Sequence, residues 1–189
     1  MNQKTLRVGL VGVGGIARGQ HIPGYRLCDD VKIAALCDVN PTTLETVGAQ
    51  LGVERLTTDY RELVSYDDLD VVDVCTYPNT HHPVTMAAIA AGKHVFCEKP
   101  LALTYPLARE MTTAALEAEI QTGVGFTHRL TPAAHLAHDL ITSGALGDIY
   151  EIAAVYSMGF AGFAEREITA RRTKAVTGGG PLFELGPHM

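Results

Sequence analysis

No stretch of this 189-residue sequence approaches the roughly 20 apolar residues that a membrane-spanning helix needs. None of its four cysteines, Cys28, Cys37, Cys75 and Cys97, stands in a C-x-x-C pair. Three of them end or lie within apolar runs, so they read as small buried side chains in a reducing compartment, not as a zinc site. Positive charge is not in excess. The formal net charge is −6, against the basic face that nucleic-acid binding needs. Internal repeats, low-complexity segments and an obvious flexible linker are also missing. The first apolar run, residues 6–13, is broken by Gly9 and Gly12 and lacks a small-residue cleavage site, so no signal peptide is expected. These absences leave a globular, cytoplasmic chain with no metal, no nucleic-acid partner and no membrane partner. A hydrophobic share of 47% and a charged share of 19% fit that class.

What is present alternates. Apolar, β-branched runs at residues 6–11, 31–37, 71–76 and 94–97 read as buried strands, with a short strand at 55–57 and a closing strand at 121–126. Helices are predicted between them: 16–25, then 41–51 behind an Asn40 N-cap and Pro41, then 59–64, 83–91 ended by Gly92, and one capped by Thr104. Strands alternating with helices imply βαβ units and a parallel sheet. Continuous apolar strands imply that both faces of the sheet are covered. The pattern changes near residue 127. Thr131 and Pro132 start a helix with an apolar stripe at Ala133, Leu136, Ala137, Leu140 and Ile141, ended by Gly144. Residues 149–158 form a long strand candidate without a partner in the sequence. A domain boundary falls near 125.

Gly12-Val13-Gly14-Gly15-Ile16-Ala17 fits G-x-G-x-x-A. The pattern is weak alone, but here it follows a strand and opens a helix, as a dinucleotide site requires. Gly12 suits the tight turn, and Gly14 lets the backbone approach a pyrophosphate over the helix N-terminus. Asp38 ends the second strand 21 positions after Ala17. A carboxylate there accepts from a ribose diol and repels a 2′-phosphate. No Arg or Lys occurs in residues 39–54, so NAD is favoured over NADP.

The stretch "HVFCEKPLAL" ends a buried strand in Glu98, Lys99 and Pro100. With "VGVGGIARGQHIPGY", "CTYPNTHHPVTMAAIAAGKHVFCEKPLALT", "VGFTHRLTPAAHLAHDLITSGALGDIYEI" and "GGGPLFELGPH", the chain resembles the glucose–fructose oxidoreductase/inositol dehydrogenase (Gfo/Idh/MocA) family over essentially its whole length. The resemblance implies an α/β fold: a Rossmann-type parallel sheet over residues 1–125, then the beginning of an incomplete α+β substrate and oligomerisation domain over residues 126–189. It implies cofactor contacts at Gly12, Gly14, Gly15, Ile16, Asp38, Thr76, Pro78, His81, Glu98 and Lys99. Lys99 would face the nicotinamide, with a cis bond expected before Pro100, and His81 would sit in a loop near the nicotinamide ribose. Tyr77 stands where a proline is often found. Arg129 matches an arginine at the domain junction and is expected to contact substrate. Full-length members are expected to form homo-oligomers.

Oxidising a secondary alcohol removes a hydride and a proton. A base works best with a pKa near the working pH, which suits His188. Lys99, as a cation, can stabilise the developing alkoxide. Glu184 stands four residues before His188, where the resembling family carries Asp; it is expected to bind a substrate hydroxyl or orient the histidine. The reading is therefore an NAD-dependent oxidoreductase acting on a sugar, cyclitol or related polyol, with Lys99, Glu184 and His188 catalytic. An NAD-dependent glycosidase that oxidises transiently and a non-catalytic NAD-binding regulator are the alternatives. Since the resembling family continues well past Met189, the sequence is expected to be part of a longer polypeptide. It is expected to bind NAD but turn over little, with residues beyond about 145 mobile or associating.

Overall fold

The computed structural model of the protein describes residues 4–155 and 186–188. The chain divides into two compact units, Met1–Gly125 and Phe126–Met189. In the first unit the strands are β1 (Leu6–Val11), β2 (Val31–Cys37), β3 (Leu56–Thr57), β4 (Val71–Val74), β5 (His94–Cys97) and β6 (Thr122–Val124). All pair in parallel, in the order β3-β2-β1-β4-β5-β6. The strand order reverses between β1 and β4. In an open sheet of this kind that switch point leaves a ligand crevice at the carboxyl ends.

A helical segment runs without a break over residues 15–25; its middle, Ala17–His21, is π-helical, and its end, Ile22–Tyr25, is α1. The other helices of this unit are α2 (Pro41–Leu51), α3 (Tyr60–Val64), α4 (Pro78–Ala90) and α5 (Tyr105–Glu117). The α2 helix forms where its caps predict: the Asn40 side chain accepts from the Thr43 amide, Pro41 opens the first turn and Gly52 closes the last at φ 65°.

The sheet separates two cores. On one face Val8, Leu10 and Leu36 meet Ala17, Ile22, Leu44 and Val47. On the other, Val72, Val74 and Val95 meet Leu63, Val84, Ala88 and Ala115. Each such fully buried Leu or Val contributes about 1.5–3 kcal/mol. With both faces covered, the strands have no need of an alternating polar pattern, which is why they read as continuous apolar runs.

Three expectations change. The α4 helix begins at Pro78, not Pro83. Pro78 takes the first turn itself, and Pro83 lies exposed inside the helix, where its absent N–H leaves the Asn79 carbonyl without a helical donor. Burial of Val84, Ala88 and Ile89 on the inner face holds the helix through that gap. The first helix carries a π-turn that periodicity does not show. Residues 149–155 form no strand; among the described residues they have no ladder to join. The rest of that strand candidate, residues 156–158, lies outside the described residues.

The second unit contains a 3-10 turn, Thr127–Leu130, the helix α6 (Pro132–Thr142) and a second 3-10 turn, Gly186–His188. Thr131 caps α6 through Ala134 N–H. No helix among the described residues is long and apolar enough to cross a membrane.

Candidate cofactor and active site

Register carries Val11, Cys37, Val74, Cys97 and Val124 into one row across the sheet. The ladder then runs one residue further. Gly12 N–H donates to the Cys37 carbonyl at 2.8 Å, Cys75 N–H to Val11 at 2.8 Å, Glu98 N–H to Val74 at 2.9 Å and Gly125 N–H to Cys97 at 2.9 Å. Gly12, Asp38, Cys75, Glu98 and Gly125 therefore line the carboxyl edge, where the switch point opens.

At Gly12 φ is +91°, and a Cβ there would lie 2.8 Å from the Cys75 carbonyl oxygen. Only glycine makes this turn against β4 without strain. Gly14 and Gly15 are different: a Cβ at either would meet nothing within 4 Å. The space before the first helical turn is open, so a pyrophosphate fits against amides that the helix leaves without intrahelical partners. Asp38 braces this turn, its Oδ2 accepting from Val13 N–H at 2.8 Å and its Oδ1 from Asn40 N–H at 2.9 Å. Each oxygen keeps a lone pair for a ribose hydroxyl. Next to it Val39 is 89% exposed, presenting no cation to a 2′-phosphate.

Thr76 and Pro78 flank the crevice at the end of β4 and the start of α4. His81 is placed differently from the expectation of a loop residue beside the cofactor. It lies inside α4, fully buried, with one ring nitrogen 2.8 Å from the Pro100 carbonyl and the other 3.1 Å from the Thr76 carbonyl. Burial pushes its imidazole down from the ordinary histidine range, against those carbonyl bonds. Its part is to tie the loop after β4 to the turn after β5. Glu98 is held from within. Its carboxylate is buried and turned inward, Oε2 accepting from its neighbour's backbone, Lys99 N–H, at 3.0 Å and Oε1 facing His21 Nε2 at 3.1 Å. Both oxygens are engaged, so Glu98 braces the backbone of Lys99. Lys99 is half-buried at the edge, followed by a cis bond to Pro100.

His21 lies within the stretch VGVGGIARGQHIPGY, which assigns it no role by itself, yet it is central here. Its Nδ1 is 2.8 Å from Asp73 Oδ2, which also accepts from the Tyr25 hydroxyl at 3.0 Å. Burial alone would push the imidazole down, but the hydrogen bonds and charges of Asp73 and Glu98 outweigh it and hold its pKa up at about 9. Burial would raise Glu98, but His21 and the Lys99 amide hold it below the usual carboxylate range. The available signal is Asp73 itself: an acid inside the apolar strand VVDV must find a buried partner. His21, Asp73 and Cys75 also place three ligand-type atoms within 4.8 Å of one another. A metal is a poor occupant. Both imidazole nitrogens already face carboxylates, so neither is turned free toward an ion.

Gly12, Gly14, Gly15, Ile16, Asp38, Thr76, Pro78, Glu98 and Lys99 thus all belong to the first unit. Arg129 is exposed in the second unit, in the turn Thr127–Leu130, which packs against Gly186–His188. Glu184 and the side chain of His188 lie outside the described residues.

The family described as "Oxidoreductase family, NAD-binding Rossmann fold" (GFO_IDH_MocA) matches residues 6–126. Levoglucosan dehydrogenase of Pseudarthrobacter phenanthrenivorans is 30% identical over 98% of this chain and 50% of its own length. D-glucoside 3-dehydrogenase of Escherichia coli is 31% identical over 100% of this chain and 53% of its own. The chain spans about half the length of these curated relatives. A solved levoglucosan dehydrogenase, in complex with NADH and levoglucosan, superposes with a TM-score of 0.84 and 30% identity, over 97% of this chain and 51% of that one.

Proposed function

The chain belongs to the Gfo/Idh/MocA oxidoreductase family, and from that premise we propose that the protein oxidises a secondary hydroxyl of a sugar, cyclitol or related polyol, with NAD as hydride acceptor. The observation that carries the reading is the edge of the first unit: an open glycine turn braced by Asp38 shares one row with the turn that presents Lys99. Gly12, Gly14, Gly15 and Ile16 hold the pyrophosphate, Asp38 holds the ribose diol, and Thr76 and Pro78 line the nicotinamide end. The bound cofactor supplies the hydride acceptor. Asp38, beside exposed Val39, favours NAD over NADP.

Lys99 places positive charge where the substrate oxygen becomes an alkoxide. His188 takes the hydroxyl proton, Glu184 orients it or holds a neighbouring hydroxyl, and Arg129 binds substrate. The protein works in the cytoplasm as a homo-oligomer; Cys28, Cys37, Cys75 and Cys97, all free thiols, suit that reducing compartment.

The test is net NADH formation across a panel of free polyols and sugars. Lys99→Met is expected to leave NAD affinity nearly intact and to reduce turnover in the complete protein by about 10² or more, the scale of a lost transition-state donor. NADH formation undiminished in that variant overturns the role of Lys99. Glycoside cleavage without net NADH would point instead to transient oxidation.

A further inference from the structure

Asp73 stands in the middle of the parallel sheet with no exposed surface. In register it faces Leu10 on β1 and Phe96 on β5. A buried carboxylate in such a place costs several kcal/mol unless it is paired and hydrogen-bonded. Its partner comes from an unusual source. The helix after the glycine turn widens into a π-turn over Ala17–His21, and His21 is its last residue. Such bulges are rare and concentrate at functional sites. This one delivers the imidazole into the sheet edge, 7% exposed, its ring edge-on to Phe96 at 5.6 Å.

The chain of contacts then leads outward to the crevice. Asp73 holds His21 Nδ1, His21 Nε2 holds Glu98 Oε1, and Glu98 Oε2 holds the backbone N–H of Lys99. Gly125 completes the seat, since a Cβ there would lie 2.6 Å from Glu98 Oε1. The carboxylate cannot withdraw from such a contact freely, being bonded on both sides. We propose that His21 is a positioning residue for Lys99: bridging Asp73 and Glu98, it fixes the Glu98 carboxylate and through it the backbone that presents the lysine. The charged and titratable groups facing the imidazole are Asp73 on β4, Glu98 after β5, Cys75 after β4 and, through Asp73, Tyr25 on α1. With a pKa of about 9 the ring is cationic at neutral pH and donates from both nitrogens. A neutral ring has one N–H and would hold only one of the two carboxylates.

What Lys99 does for the reaction rests on the dehydrogenase reading; its fixation by His21 does not. The test is therefore read in two ways. Amide exchange at Lys99 is expected to rise about tenfold or more in His21→Gln, one ordinary hydrogen bond's worth, while the Val72 and Val95 amides in the sheet keep their protection. Gly125→Ala leaves His21 and Asp73 in place but displaces Glu98, and should loosen the same amide. Asp73→Asn should bring the His21 ring titration down from about 9. In turnover, His21→Gln should lower kcat by about 10- to 100-fold with KM for NAD little changed, as misplacement of a remote group does. A Lys99 amide that exchanges at the wild-type rate in both His21→Gln and Gly125→Ala overturns the proposal. So does a wild-type His21 ring that titrates at or below its ordinary 6.5. A complete protein that reduces no NAD with any polyol overturns the dehydrogenase reading, and the amide-exchange result still decides this one.

Discussion

The two units treat their apolar side chains in opposite ways. Up to Gly125 the sequence closes its own core. Leu10, Leu36 and Val72 have no exposed surface, helices cover both faces of the sheet, and Asp73 is matched by His21 and Tyr25. In the second unit α6 has an amphipathic pattern as clear as any in the chain, yet Leu136 is 61% exposed, Leu140 38% and Ile141 42%. Periodicity states which face of a helix is to be covered. It does not state by what, and in the first unit the cover is other elements of the same 125 residues.

The largest effect that tests this contrast is a truncation in the closed core. Leu10 lies toward the carboxyl end of β1, between β2 and β4, with no exposed surface. Leu10→Ala should lower unfolding free energy by about 2–5 kcal/mol, the range for a buried leucine that leaves a cavity. Urea denaturation followed by circular dichroism measures it. A loss under about 1 kcal/mol would mean that the first unit is not close-packed, and the contrast would break at its stronger side.

A smaller effect probes the charges in that core. The folded pKa of His21, about 9, lies above its ordinary 6.5. A group raised on folding binds its proton more tightly in the native state. Its stabilisation is therefore fully present below about pH 6.5 and is lost as pH rises through about 9. The difference in unfolding free energy between wild type and His21→Gln should fall across that window by at most about 3 kcal/mol. Denaturant curves at pH 7 and pH 10 give the two values. A difference that is flat or grows with pH would show that His21 enters the fold neutral, and the buried acids would then need another counterion.

These two cases also separate what the sequence makes legible from what it does not. Local chemistry is legible. Asn40, Pro41 and Gly52 set both ends of α2 because a cap acts within a few residues. The turn at Gly12, the row of strands and the edge position of Lys99 follow from period and punctuation alone. The start of α4 is ambiguous in sequence for a physical reason: Pro78 and Pro83 are both able to open a helix, and the tertiary burial of Val84, Ala88 and Ile89 decides between them. The His21 cluster is not legible, because its hydrogen bonds span 52 and 77 residues of sequence. Only the cost of placing Asp73 in a buried strand announces that a partner has to exist. For the same reason Glu98 reads as a crevice group. One-dimensional position puts it beside Lys99, and only the fold shows that its carboxylate is bonded to His21 and to the Lys99 amide.

The smallest expected effect is on the open side of the contrast. Leu136 is the most exposed of the leucines in α6, held in a helix whose N-cap, Thr131, is satisfied by the Ala134 amide. Leu136→Ala keeps a strong helix former at that position and removes a side chain that already meets solvent, so stability should change by no more than about 0.5 kcal/mol. The matching Thr131→Ala, on the same helix, removes the cap and should cost more, about 1 kcal/mol, as read from the helical signal of the chain. The order of the two effects is the decisive readout. If the apolar stripe contributes nothing here, the helix is held by its local caps, and the cap substitution must outweigh the leucine. If Leu136→Ala instead costs about 2 kcal/mol or more, the range of a buried leucine, the stripe is covered in solution, by further chain or by a second copy. Sedimentation at several concentrations separates those two, since only a second copy makes the loss depend on concentration.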